Sequence, residues 1–259
     1  INHLRSMFIN HKNLSGVSIG FSLHHKKLKI SNIKQELKKQ NLPIRTFITS
    51  KNISFIKENV TVGIIDYGMG NLQSLKNAFE ILGKKCELIN NIDDFQYKSS
   101  SNLLILPGVG AFPEGMKQLY RLELIDKIKN YSKKGGCLIG ICLGMQLFFE
   151  KGTEFEDTNG LGLMPGTVEC IPNKSTTKNH LILPHVGWNK IISTENDRYI
   201  WEDKITDINQ YFVHSYAAKF SKKIERNTIC ITNYGGHEFA SIVRDKNTIG
   251  LQFHPERSG

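Results

Sequence analysis

Cys137-Leu138-Ile139-Gly140-Ile141-Cys142-Leu143-Gly144-Met145-Gln146 is the stretch that decides the fold. Its first five residues form a short apolar run of the kind a buried parallel strand needs. A cysteine then stands between Gly140 and Gly144, and the spacing from Leu143 to Glu150 predicts a helix. Strand, tight turn at a nucleophile, then helix is a nucleophile elbow with Cys in place of Ser. The glycines permit the sharp turn that lifts the thiol above the sheet. A helix N-terminus behind it is expected to favour a thiolate, and the Leu143 N–H is expected to be free to face a developing oxyanion. A free cysteine is ordinarily a small core hydrophobe, and Cys86, Cys137, Cys170 and Cys230 read that way; the turn sets Cys142 apart.

Upstream, the same alternation repeats. Val62–Asp66 reads as a strand and Tyr67–Asn71 as a turn. Leu72, Leu75, Phe79 and Leu82 follow on one helical face, with Gly83 as a cap. Cys86–Ile89 and Leu103–Leu106 are further strands, and Met116, Leu119, Leu122, Ile125 and Ile128 predict one helix over Glu114–Tyr131. Strands alternating with helices imply an α/β fold: an open, mostly parallel sheet with helices on both faces. Beyond residue 160, strand-like runs at 166–171, 186–192, 210–214, 228–232, 238–243 and 248–253 add further β structure.

Two more places carry chemistry. His254-Pro255-Glu256 follows a strand; a neutral His takes the thiol proton and later gives one to a leaving amine, and Glu256 is placed to fix its tautomer. Pro107-Gly108-Val109-Gly110-Ala111-Phe112 follows the third strand, and its glycines let backbone N–H groups approach a ligand. Neither this loop nor Tyr67-Gly68-Met69-Gly70 completes a dinucleotide or phosphate fingerprint.

Composition excludes several classes. The apolar fraction of 39% supports a substantial core, and no apolar run approaches the roughly 20 residues of a spanning helix. Five cysteines without paired spacing argue against a disulfide framework or a zinc ribbon. Of the 34 Lys+Arg and 24 Asp+Glu, residues 1–59 hold 11 and 2, leaving 23 and 22 for residues 60–259. The charge of +10 is thus +9 in the first segment and +1 in the rest, so no basic stripe tracks phosphates and no nucleic acid is expected. Residues 1–59, basic, acid-poor and sprinkled with Ser, read as an extension: a transit peptide or a solvated tail.

With these residues in hand, the chain resembles the class I (triad) glutamine amidotransferases over residues 61–259. Gly140–Gln146 and His254-Pro255-Glu256 match the class. Ile65–Leu72, Pro107–Phe112, Pro184–Asn189 and Tyr211–Tyr216 match more narrowly the glutaminase of imidazole glycerol phosphate synthase, from histidine biosynthesis. The resemblance implies a flavodoxin-like fold. It implies Cys142, His254 and Glu256 as triad, with oxyanion donors from the Leu143 N–H and from Gly108, Val109 and Gly110, whose loop is flexible enough to be out of position at rest. It also implies Gly144, Gln146, His214, Ser215 and Tyr216 as the holders of glutamine. Asn71, Trp188 and Tyr211 then face a cyclase partner, separate or fused, built as a (β/α)8 barrel, with core packing the plainer role for Trp188 and Tyr211. No metal, cofactor or membrane is implied, and the expected setting is intracellular, cytoplasmic or plastid. The family continues into a last helix past Gly259, so residues 60–259 are expected to be the amidotransferase domain without its C-terminal end. Another class I amidotransferase would need a different acceptor partner, against which the Pro107–Phe112 and Pro184–Asn189 stretches speak; a peptidase of the same fold would lack Gln146 and His214–Tyr216.

Overall fold

The computed structural model describes Lys39 and residues 60–90, 92, 102–174, 181–194 and 208–258. Chain contacts divide into two units, one of residues 1–52 with Gly259 and one of residues 53–258. The architecture below belongs to the second. The extension expected over residues 1–59 lies, Lys39 apart, outside the described residues.

The first half builds a parallel sheet. Strands β1 (Thr61–Ile65), β2 (Lys85–Ile89), β3 (Asn102–Leu106) and β4 (Cys137–Ile141) pair side by side in the order β2-β1-β3-β4. Alternation along each strand sends side chains to two faces. Ile65, Leu104 and Leu106 join one core with Phe112, Met116, Leu119 and Ile128. Val62, Ile64, Leu103 and Ile105 join the other with Leu72, Leu75 and Phe79. Helix α1 (Leu72–Ile81) therefore covers one face, and α2 (Phe112–Arg121) and α3 (Leu124–Lys133) the other.

The expected helix over 114–131 is really two. Glu123 adopts the left-handed conformation at φ 55°, and the Leu122 and Glu123 N–H groups close the last turn of α2 onto Gln118 and Tyr120. The i+3 spacing of Leu119, Leu122 and Ile125 hid this break. Leu122 points to solvent, and Leu124 is the residue that is buried.

The helix expected over 143–150 is a single turn, α4 (Leu143–Gln146), followed by strand β5 (Phe149–Gly152). Leu147, Phe148 and Phe149 are all buried, which a one-faced helix cannot arrange. Their carbonyls accept instead from Leu161, Leu163 and Gly162 across the loop. A short strand β6 (Thr158–Asn159) pairs with β5, and β5 runs parallel to β7 (Met164–Cys170).

The remainder is mostly sheet, as the strand-like runs predict. Strands β8 (His185–Lys190) and β10 (Asn209–His214) form an antiparallel pair, with β9 (Ile192–Ser193) between them in sequence. The short β11 (Tyr216–Ala218) completes the order β11-β7-β5-β6. Strands β12 (Thr228–Tyr234), β13 (His237–Asp245) and β14 (Thr248–Leu251) extend the first sheet to β2-β1-β3-β4-β14-β13-β12-β9. β14 is parallel to β4, so the ends of both strands open at the same edge, with Cys142 after one and His254 after the other. Among the described residues no helix is long and apolar enough to cross a membrane.

Candidate active site

Cys142 sits at φ 52° and ψ −109°, a region L-residues rarely occupy and one that costs roughly 1–3 kcal/mol. The surroundings hold it there. Its N–H donates to Leu251 at 2.7 Å, tying the elbow to β14. A Cβ on Gly144 would run into the Leu106 carbonyl oxygen, and one on Gly140 would lie 2.6 Å from Phe148. The two glycines of the motif are therefore needed for close approach of the turn to the sheet. Gly144, expected among the substrate contacts, is buried against the end of β3 and does not line the cleft. Because α4 is one turn, it also offers little of the dipole that the sequence suggested behind the sulfur.

His254 and Glu256 meet at the end of β14. The His254 Nδ1 and Glu256 Oε1 are 2.8 Å apart, and both side chains are almost wholly buried. The turn that carries them is pinned by the His254 N–H on the Tyr211 carbonyl at 2.9 Å and by Ser258 Oγ donating to the His254 carbonyl at 2.7 Å. Burial alone would lower the His254 pKa. The neighbouring Cys142 and Glu256 outweigh it and hold the ring up at about 9. With Nδ1 committed to Glu256, Nε2 is buried without a hydrogen bond among the described residues. The ring thus has a spare nitrogen and the electrostatic support to carry a proton.

Cys142 opens on a cleft of about 300 Å³, near the lower end of small-ligand pockets. Val109, Gly110, Leu143, Gln146, His214, Ser215 and Tyr216 line it, as do Glu154, Pro184 and Val213. So most residues expected to hold a ligand or an oxyanion do converge on the thiol. The Leu143 N–H, expected to be free, is not: it donates to the Gly108 carbonyl at 3.4 Å. The loop ending in Gly110 (φ 120°) turns that carbonyl toward the elbow and occupies the donor. Tyr67 fixes the base of the loop by donating its hydroxyl to the Pro107 carbonyl at 2.7 Å.

His214 serves the wall rather than carrying a charge. Its Nδ1 donates to the Tyr216 carbonyl at 2.9 Å, which leaves Nε2 to accept from His185 Nδ1 at 3.3 Å. Burial, with the neighbouring His185, pushes its pKa down to about 3; burial likewise pushes His185 to about 4. Both rings are neutral at ordinary pH. His185 is stacked on Tyr234, with ring centres 4.0 Å apart, and on Phe212.

Trp188 and Tyr211 face each other across β8 and β10, with ring centres 5.4 Å apart, and both remain partly accessible. Asn71 is exposed and caps α1, accepting from the Ser74 N–H at 3.2 Å; α1 in turn packs near the 255–257 turn.

Two neighbours of the site escape the sequence reading, one in the cleft wall and one buried behind the sulfur. Glu154 places a carboxylate in the cleft wall while accepting from the Phe112 N–H at 2.8 Å. Gln252 is fully buried beside the sulfur. Gln252 had a signal: strand alternation puts it on the same side as His254, two residues on. Glu154 had none, since it is a lone acid in a turn. Among the described residues no three His, Cys, Asp or Glu side chains form a metal-binding group.

Comparison with known proteins matches residues 63–259 to the family described as glutamine amidotransferase class-I. The chain is 38% identical over 203 residues to the imidazole glycerol phosphate synthase subunit HisH 1 of Legionella pneumophila (strain Lens), covering 77% of this chain and 93% of the relative. It is 42% identical over 198 residues to the subunit HisH of Lacticaseibacillus casei (strain BL23), covering 76% and 88%. A crystal structure of a glutamine amidotransferase, 17% identical, superimposes with a TM-score of 0.55 over 75% of this chain and 90% of that one, a likeness of fold.

Proposed function

The chain belongs to the class-I glutamine amidotransferases, and from that premise we propose that Cys142, His254 and Glu256 hydrolyse the side-chain amide of glutamine and supply the ammonia to a cyclase partner. The observation that carries the reading is the buried His254–Glu256 contact at 2.8 Å, set beside a strained cysteine that opens on the cleft.

The Cys142 sulfur attacks the amide carbon while His254 Nε2 receives the thiol proton. The carbonyl oxygen becomes an oxyanion. As the C–N bond breaks, His254 returns the proton to the departing nitrogen and ammonia leaves, with a glutamyl thioester on Cys142. Water, deprotonated by His254, attacks the thioester; glutamate departs and the thiol is restored. Glu256 keeps the ring in one orientation and stabilises it when charged. Gln146, Ser215, Tyr216 and the His214 wall hold the substrate, and the Glu154 carboxylate suits its α-ammonium group. The oxyanion needs donors from Leu143 and from the Gly108–Gly110 loop. Since the Leu143 N–H is engaged by the Gly108 carbonyl, that loop must turn before the site is competent.

The acceptor is read from the relatives' names and from the sequence stretches shared with that enzyme. Ammonia passes to a (β/α)8 cyclase docked near Asn71, Trp188 and Tyr211. There it joins a phosphorylated ribulosyl-formimino intermediate, giving imidazole glycerol phosphate and an aminoimidazole carboxamide ribotide. The residue range 60–259 is the amidotransferase domain in this reading, with residues 1–59 an extension to it.

The test is ammonia release from glutamine with and without the cyclase and its ligand. Cys142→Ser is expected to be inactive in both, while cyclisation fed with ammonium salt continues. The unaltered chain is expected to turn over faster with the partner, which realigns the loop. Activity in Cys142→Ser would overturn the nucleophile; equal rates with and without the partner would overturn the loop step.

A further inference from the structure

We propose that Gln252 is a positioning residue for the nucleophile, holding the Cys142 sulfur by an N–H donor and linking it to the floor of the cleft; the inference rests on the reading of Cys142 given above.

The orientation of the Gln252 amide follows from its neighbours. Gln146 Nε2 lies 2.7 Å from the Tyr216 carbonyl oxygen, which only accepts, so this atom is a donor. The same Nε2 reaches the Gln252 side chain at 3.2 Å, and the Gln252 atom facing it must therefore be the acceptor Oε1. The remaining Gln252 atom, Nε2, is then an N–H donor aimed at the Cys142 sulfur at 3.8 Å. On its other side the thiol donates to the Val213 carbonyl, also at 3.8 Å. The sulfur is thus held between one donor and one acceptor.

Burial makes this arrangement consequential. Gln252 is wholly inaccessible and its backbone is fixed by an N–H bond to the Ser241 carbonyl at 3.0 Å. Gln252 does not line the cleft, whereas Gln146 does. It therefore acts through the sulfur and through Gln146. When the thiol proton moves to His254, the Gln252 N–H faces a sulfur anion, and the bond becomes charge-assisted, roughly twice as strong as its neutral form. The Val213 carbonyl, an acceptor, gives that anion no support. Gln252 is the neighbour whose hydrogen bond grows as the nucleophile forms, which is the property that raises turnover rather than affinity.

The experiment compares Gln252→Glu and Gln252→Met with the unaltered full chain, each in complex with the cyclase. Gln252→Glu keeps an oxygen acceptor for Gln146 and loses the donor to sulfur; Gln252→Met keeps the volume and loses both. Ammonia release is expected to fall in kcat by about tenfold or more in both, the size of one lost hydrogen bond to a charged group. KM for glutamine is expected to stay within about twofold in Gln252→Glu. Alkylation by iodoacetamide without glutamine, followed on the peptide that carries Cys142, is expected to slow by a similar factor. If the buried carboxylate prevents Gln252→Glu from folding, Gln252→Met carries the kcat and alkylation test. Turnover and alkylation at the unaltered rate in folded Gln252→Met would overturn the proposal. So would a loss of turnover matched by a rise in KM with alkylation unchanged. Cys142→Ser separates the two readings: activity there overturns the nucleophile, while normal Gln252 variants beside an inactive Cys142→Ser overturn only the positioning role.

Discussion

Replacing Glu256 with Gln removes the charge beside His254 but keeps an oxygen able to accept from its Nδ1. In the folded protein the His254 pKa stands at about 9 against an ordinary 6.5, even though burial pulls it the other way. Cys142 and Glu256 supply the support, and at about 1.4 kcal/mol per pH unit the net rise is worth about 3 kcal/mol. If Glu256 supplies half of it, loss of the charge lowers kcat on the order of tenfold; if all, on the order of a hundredfold. The contact is 2.8 Å long with both side chains nearly dry, so solvent screening does not erode the figure. Steady-state ammonia release with the cyclase present, measured from pH 6 to 10, checks it. The alkaline limb of the kcat profile is expected to move to lower pH in Glu256→Gln, because the imidazolium that protonates the leaving amine is lost sooner. A variant within threefold of the unaltered enzyme, with an unmoved alkaline limb, would refute the role given to Glu256.

Further outcomes concern stability and organisation. His185 and His214 are held neutral by burial with pKa values of about 4 and 3, so the unfolded chain binds protons first as pH falls below 6.5. Their stabilisation is complete above that pH and is lost on acidification, costing about 4 kcal/mol in all at pH 5, visible as a fall in thermal midpoint between pH 7 and 5. His254 has the opposite sign: its contribution is present below 6.5 and fades as pH rises through about 9, so the midpoint is expected to decline on the alkaline side too. Gly144→Ala drives a methyl into the Leu106 carbonyl and is expected to lower stability by about 1–3 kcal/mol by thermal or urea unfolding, with a matching loss of activity. Removal of residues 1–58, which hold the excess charge, is expected to leave glutaminase turnover and thermal midpoint unchanged; a large fall in either would place that segment in the folded domain.

The parallel half of the fold was legible because β1, β3 and β4 are short apolar runs and α1 carries its core residues on one stripe. Failures cluster where one pattern serves two structures. Leu119, Leu122 and Ile125 keep helical spacing across a break that a left-handed Glu123 makes. Consecutive apolar residues at 147–149 look like the continuation of a helix, yet they are buried on all sides at the start of β5. Strands β6, β9 and β11 are two or three residues long, too short for periodicity to register. At the site, Cys142 and His254 were legible from their turns. The engagement of the Leu143 N–H by the Gly108 carbonyl was not, since a backbone hydrogen bond between distant segments leaves no mark on side-chain pattern. Glu154 joins the cleft only because the loop after β5 folds back to cap α2.

The central claim is that Cys142 carries the glutamyl group between loss of ammonia and arrival of water. Rapid acid quench of the enzyme turning over glutamine, with the cyclase bound, followed by mass spectrometry of the peptide that holds Cys142, measures this directly. A glutamyl adduct on Cys142, absent from Cys142→Ser and from Cys86, Cys137, Cys170 and Cys230, is the expected result. Full ammonia release from Cys142→Ser, or an adduct on another residue, would contradict it.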